Sequence, residues 1–412
     1  MIVVIRNGNI FNPTTGTVIG ERTIVIDRGQ IAEVTDEGYR GPADIEIDAG
    51  GGFVMPGLVD AHVHHTFPTM NFDRLMRMSS VEVAIGMSQS ARATVHRGFT
   101  SVRDTGGAIS GLVAAISSGM TQGPRIARAG RVLSQTGGHG DYRPGPVPAP
   151  MCGCQIHSDV HGNSHIVDGP DACRKAARSE LREGSDFLKI MTSGGVSSPS
   201  DPFDTTQYTD DEVRAVTIET DHRHTYTTSH AYVPEAISLA IENGVRCIEH
   251  GNMLDAPTAE RMATLGVVLV PTLVTYKAMD EIGAEVGLPS TNLQKNAGVF
   301  EAGLRSVEIA RAAGVELGLG TDLLGEAQGR QNQELAIRNE IEPAADVLRS
   351  IYDTNVRLCG LEGQVGRVEP GYAADLIISD ADPIQNLAKL ADPAVISTVI
   401  KAGDIVRSTL VS

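Results

Sequence analysis

Cysteine is scarce and odd in number: five in 412 residues, at Cys152, Cys154, Cys173, Cys247 and Cys359, with no paired framework. A disulfide-stapled fold is set aside, and a reducing, cytoplasmic setting is expected. Long apolar runs are missing too. No stretch approaches the roughly 20 apolar residues of a membrane span, and the segment before Arg6 is too short for a secretory core. Cations are outnumbered: Lys plus Arg total 34 against 51 Asp plus Glu, a formal net charge of −17. So acidic a surface repels phosphate backbones and anionic lipid, which argues against nucleic-acid and membrane partners. Gly318-Leu319-Gly320 lacks the third glycine and following acid of a dinucleotide fingerprint. There is no Gly-x-Ser-x-Gly elbow for a serine nucleophile.

What is present supports a globular core, with 41% hydrophobic and 21% charged residues. The length suits one large domain and a small companion. Both ends read as strands. Ile2–Ile5, Thr23–Ile26 and Ile31–Val34 are short β-branched runs separated by turns such as Asn7-Gly8 and Arg28-Gly29. Ala374–Ile378 and Val395–Ile400, with a turn at Ala402-Gly403, repeat the pattern. The two ends are therefore expected to meet in one small β-domain, built from residues 1–57 and 359–412.

The middle, residues 58–358, repeats one joint: a helical pattern ends, a glycine follows, and an apolar run begins. It occurs at Gly98, Gly184, Gly244, Gly266 and Gly314, each suited to the left-handed position past a helix end. Thr209 with Glu212 spells a capping box, and Pro234 fits a first helical turn. Repeated β–α units suit an α/β fold, either a doubly wound sheet or a (β/α)8 barrel. Eight strand candidates favour the (β/α)8 TIM barrel: Leu58–His65, Phe99–Thr105, Arg125–Leu133, Phe187–Thr192, Tyr226–Ala231, Arg246–Gly251, Val267–Leu273 and Glu316–Asp322.

Several of these apolar strands carry a polar residue. His62 and His64 close the first, two apart and so on one side. Lys189 lies in the fourth, His230 ends the fifth, His250 the sixth and Asp322 the eighth. Singly, each has a plain explanation: a core histidine, a salt-bridged lysine, an aspartate capping a helix. Together they fall on strands of one repeating architecture, whose C-terminal ends converge in a barrel.

Pro56-Gly57-Leu58-Val59-Asp60-Ala61-His62-Val63-His64 resembles the opening signature of the metal-dependent amidohydrolase superfamily. Leu188–Met191, Ser229–Tyr232, Ile248–Gly251 and Gly320–Asp322 follow its order. Ser193-Gly194-Gly195 and the stretch from Asp201-Pro202 to Gln207 resemble its branch of prolidase-like dipeptidases, carboxypeptidases and ochratoxin-type amidases. Gly366–Leu376 is similar to the closing strands of the family's small β-sandwich. The resemblance implies two divalent ions, with zinc the expected metal for imidazole and carboxylate donors. His62, His64 and Asp322 would hold one, His230 and His250 the other, with a CO2-derived carboxyl group on Lys189 bridging them. It further implies hydrolysis of dipeptides or N-acyl amino acids, possible ochratoxin-type amides included, by a metal-bridged hydroxide, with Asp322 shuttling the proton. Cyclic amides, carbamates or aryl ureas are the alternative substrates on the same site; a non-catalytic assembly protein is the other alternative. A homo-oligomer acting on a small-molecule substrate is expected.

Two more residues resemble family positions that orient the carbonyl: Tyr232, two residues past His230, and His139 in Thr136–Asp141. Their plain readings are a core tyrosine and a surface-loop histidine. Residues 137–170 are long enough to suggest a lid over the barrel mouth. Cys152, Cys154, His157, His161 and His165 in that segment match no standard zinc-ligand spacing.

Overall fold

The computed structural model of the chain describes residues 1–107, 109–142, 163–198 and 201–410. The strand-like ends share one sheet. Ile2–Asn12 pairs with Thr17–Asp27, which pairs with Gln30–Thr35. On its other side Ile2–Asn12 meets Ile45–Asp48 and Phe53–Pro56, both parallel. Phe53–Pro56 receives Leu376–Ser379, and Ile396–Lys401 and Asp404–Ser408 complete eight strands. Alternation sets the two faces. Ile5, Ile24, Val54, Leu376 and Ile378 pack among themselves on one. Phe11, Met55, Ile377 and Val399 face the middle of the chain, against Leu58, Phe99 and Tyr352. Asn7-Gly8, which reads as a turn, is instead an irregularity inside the first strand: the register shifts between Ile5 and Gly8, and Asn7 takes φ 57°. A bulge and a turn need the same left-handed backbone, so one dipeptide suits both.

The middle holds parallel strands. Leu58–Val63, Phe99–Asp104 and Arg125–Arg128 form one sheet. Ser164–Ile166, Val132–Ser134, Leu188–Met191, Thr227–Ala231, Cys247–His250 and Val268–Val270 form another, in that order. Two expected strands are altered. The third is split into Arg125–Arg128 and Val132–Ser134, with Gly130 between them at φ 72°. Each half still reaches the next strand: Asp186 N–H donates to the Arg128 carbonyl at 2.8 Å, and Ile190 pairs with Leu133. The last, residues 316–322, makes a single bridge from Leu317 to Leu269, then bonds to the first strand through Ala61 N–H to the Leu319 carbonyl, 2.8 Å. There the Asn355 side chain replaces ladder bonds, accepting from Leu319 N–H at 3.0 Å and donating to the carbonyls of Leu319 and Val59.

Helices such as Ser80–His96, Pro170–Arg182, Asp210–His222, Pro234–Glu242 and Val299–Ala313 connect these strands. Thr209 and Glu212 make the expected reciprocal cap, Pro234 opens its helix, and all five joint glycines have φ between 65° and 99°. Among the described residues no helix is long and apolar enough to cross a membrane. Cys173, Cys247 and Cys359 are buried and free. Cys152, Cys154, His157 and His161 lie outside the described residues, as does most of the expected lid.

Candidate metal and active site

The strand ends deliver their polar residues to one place. His62 Nε2 and His64 Nε2 lie 3.3 Å apart, and Asp322 Oδ1 lies 3.3 and 3.2 Å from them. These three atoms are close enough to share one cation. The His250 ring is centred 5.0 Å from that of His62 and 4.5 Å from that of His230. All six expected ligands, with His139, line a single open cavity. Two of them hold left-handed backbone, His250 at φ 73° and Asp322 at φ 51°; such strain persists where the surroundings over-determine it, as at functional sites.

Partners behind the rings decide which nitrogen faces the cavity. His64 Nδ1 donates to the Gly106 carbonyl at 3.1 Å, and His230 Nε2 to that of Gly194 at 3.0 Å. His62 Nδ1 contacts the Glu249 carboxylate at 2.7 Å, and His250 Nδ1 lies 2.8 Å from the Thr272 hydroxyl. Each bond occupies one nitrogen and leaves the other's lone pair available, the usual outer support of a metal-binding imidazole. Imidazoles so oriented, beside a carboxylate, fit a divalent ion such as zinc.

Burial and charge set the protonation states. Burial would raise Asp322, but the imidazoles around it, His62 first and then His64 and His250, hold its carboxyl well below the usual range. Burial, with neighbouring cationic groups, depresses His230 and His250, which stay neutral. Burial pushes the Lys189 ammonium down to about 8, against the pull of Glu249 and Asp322. The neutral amine, the form that reacts with CO2, is therefore more populated near neutral pH than in an ordinary lysine.

Two charged residues escaped the sequence reading. Glu249 and Arg103 are completely buried and joined at 2.6 Å. Arg103 also donates to the Ala61 carbonyl and the Tyr226 hydroxyl and lies over the Phe187 ring at 5.2 Å. Glu249 thereby bridges a core cation and the His62 ring. The signal was present, since both are charged residues inside expected apolar strands: Arg103 in Phe99–Thr105, and Glu249 next to the expected ligand His250.

His139 and Tyr232 occupy different positions. The His139 ring stacks on His230, 4.0 Å between centroids, with Nδ1 3.4 Å from Asp201 and Nε2 3.4 Å from the Ser197 hydroxyl at the cavity wall. Tyr232 stacks on His250 at 5.4 Å and its hydroxyl bonds that of Tyr276 at 2.8 Å, so it stands behind the site. His165, the described member of the Cys/His group, pairs with Glu180 at 2.7 Å.

The family model described as "Amidohydrolase family" matches residues 53–406. A solved prolidase complexed with N-methylphosphonate-L-proline is 39% identical, with a TM-score of 0.94, covering 99% of this chain and 100% of the other. A Xaa-Pro dipeptidase with bound methionine is 29% identical, with a TM-score of 0.87, covering 98% and 99%. Ochratoxinase of Aspergillus niger is 25% identical over 363 residues, 86% of this chain and 75% of that one.

Proposed function

Because this chain belongs to the amidohydrolase family, we propose that it is a metal-dependent hydrolase of amide bonds in dipeptides or N-acyl amino acids. The observation that carries the reading is the convergence of His62, His64, Lys189, His230, His250 and Asp322 on one cavity. The likeness to a prolidase and a Xaa-Pro dipeptidase supports the dipeptide class. We read residues 58–358 as a (β/α)8 barrel, on the hydrogen bonds that run from strand to strand and back through residues 316–322 to Ala61. Residues 1–57 and 359–412 are read as its small β-domain.

In this reading His62, His64 and Asp322 would hold one divalent ion and His230 and His250 a second, with Lys189, once carboxylated on Nζ, as a further donor. Such ions make water nucleophilic at neutral pH and polarise the amide carbonyl. Lys189 takes up CO2 as the neutral amine: the N–C bond forms and one proton leaves. Asp322, ionised at neutral pH, accepts the proton of the attacking water and returns it to the departing nitrogen. As the C–N bond breaks, acid and amine are released. His139, steadied by Asp201, points Nε2 at the cavity as a donor to the carbonyl oxygen.

The test is elemental analysis of protein purified without chelator, joined to a screen of Xaa-Pro dipeptides and N-acyl amino acids. About two ions per chain, and amine release that chelation abolishes, are expected. A metal-loaded protein that releases amine from no member of the panel overturns the assignment.

A further inference from the structure

The cavity wall is of two kinds. Ser197, whose hydroxyl lies 3.4 Å from His139 Nε2, is polar, as is Asn163, a buried carboxamide whose Oδ1 has no hydrogen-bond partner among the described residues. Beside His64 and Asp322 the wall is aromatic. Phe72 and Tyr142 stack with centroids 5.0 Å apart and planes at 17°. Phe67 meets both edge-on at 5.6 and 6.0 Å and the His64 ring at 5.5 Å. One ring therefore separates the stacked pair from a candidate metal ligand. Phe67 is buried, whereas Phe72 and Tyr142 keep part of their surface open, and all three line the cavity.

The segment that carries Phe72 is also held in place. The Asn71 side chain accepts from Arg74 N–H at 2.9 Å and caps the short turn that begins at Phe72. The Glu326 carboxylate accepts from Met70 N–H at 2.9 Å and the Thr69 hydroxyl at 3.0 Å. A rigid apolar surface beside reacting atoms is what side-chain selection requires, because affinity follows the apolar area removed from water.

We propose that Phe72 and Tyr142 form a side-chain subsite that seats a bulky apolar group next to the scissile amide. The substrates are then amides of large apolar amino acids rather than of glycine. This rests on the amide-hydrolase reading and narrows it to a substrate class.

The test compares kcat/KM within two series, Gly-Pro, Met-Pro and Phe-Pro, and N-acetylglycine, N-acetyl-methionine and N-acetyl-phenylalanine. In at least one series the wild type favours the large members by about tenfold or more. Phe72→Ala cuts that preference at least about fivefold, read as the ratio of kcat/KM between the large and the glycine members. No preference in either series, or a preference that survives in Phe72→Ala, overturns the proposal. Should Phe72→Ala lose all activity, Phe72→Leu decides: a smaller drop confined to the phenylalanine members supports the subsite, and an unchanged preference overturns it. Calorimetric titration with L-phenylalanine, L-methionine and glycine separates this inference from the broader one. If no amide is cleaved, the hydrolase reading falls. The subsite still stands if the two apolar amino acids bind the wild type at least about tenfold tighter than glycine and Phe72→Ala narrows the gap. Equal binding of all three overturns it.

Discussion

Lys189 is kept at a cost to the fold. Its side chain is 1% exposed, and burial lowers its pKa from 10.5 to about 8. The unfolded chain therefore binds the proton more tightly, and the penalty is fully present below pH 8. It fades as pH rises through the window to 10.5, since the unfolded state gives up its proton there. At about 1.4 kcal/mol per unit, the cost in metal-free protein at pH 7 is about 3 kcal/mol. Lys189→Met should therefore raise the urea-unfolding free energy of metal-free protein by that order at pH 7, with the gain gone above pH 10.5, while hydrolysis is lost. A variant less stable than wild type at pH 7 contradicts this. Lys189→Ala should likewise be inactive, with short carboxylates restoring part of the rate; full activity would remove Lys189 from the site. Glu249→Gln works the other way. It strands the Arg103 cation in the core, which should cost about 3–5 kcal/mol in urea unfolding. It also weakens the support of His62, which should lower metal affinity about 10–100-fold, read by chelator competition. Unchanged values in both would show that the buried triad does not act as one unit.

At the scale of elements, glycines of similar appearance have different tasks. Gly314 ends the helix Val299–Ala313 at φ 79°, and a Cβ there would meet nothing within 4 Å. Gly314→Ala should cost only the strain of left-handed backbone, about 1 kcal/mol, and leave activity unchanged. Gly320 lies where residues 316–322 cross the first strand, and a Cβ there would come within 2.6 Å of both His62 Cβ and Val270 Cγ1. Gly320→Ala should displace His62 and abolish activity as well as lowering the melting temperature. Equal behaviour of the two variants in melting and hydrolysis assays would contradict this. The glycine joints and the Thr209–Glu212 cap were legible in the sequence because they rest on contacts within a few residues. The break at Gly130 was not. It depends on Glu180, whose carboxylate accepts from Arg131 N–H at 3.0 Å from 49 residues away. A local pattern carries no trace of such a partner.

For the whole molecule, the terminal sheet is the seat of the rest. Leu376–Ser379 lies between Phe53–Pro56 and Ile396–Lys401, and Ile377 and Val399 pack with Leu58 and Phe99. Asp375 takes a paired contact from Arg125 at 3.0 and 3.2 Å. A chain ended after residue 375 loses three strands, uncovers that apolar face and leaves an open strand edge. Size-exclusion chromatography should show aggregates, and calorimetry no cooperative transition. A monodisperse, cooperatively melting truncation would mean that the rest of the chain folds without its last three strands.

The sequence by itself determined the elements and the chemistry. Period-two runs, helix caps and polar residues at strand ends are short-range facts; they singled out the six polar residues, and the resemblance to the amidohydrolase superfamily implied their role as ligands. Tertiary structure decided what depends on distant partners. It set which nitrogen of each imidazole faces the cavity, that Glu249 and Arg103 stand behind His62, and that Tyr232 spends its hydroxyl on Tyr276. It also faced Phe72 with Tyr142, 70 positions further along the chain. Desolvation and hydrogen bonding act between atoms that the chain separates widely, so only the folded backbone brings them within reach.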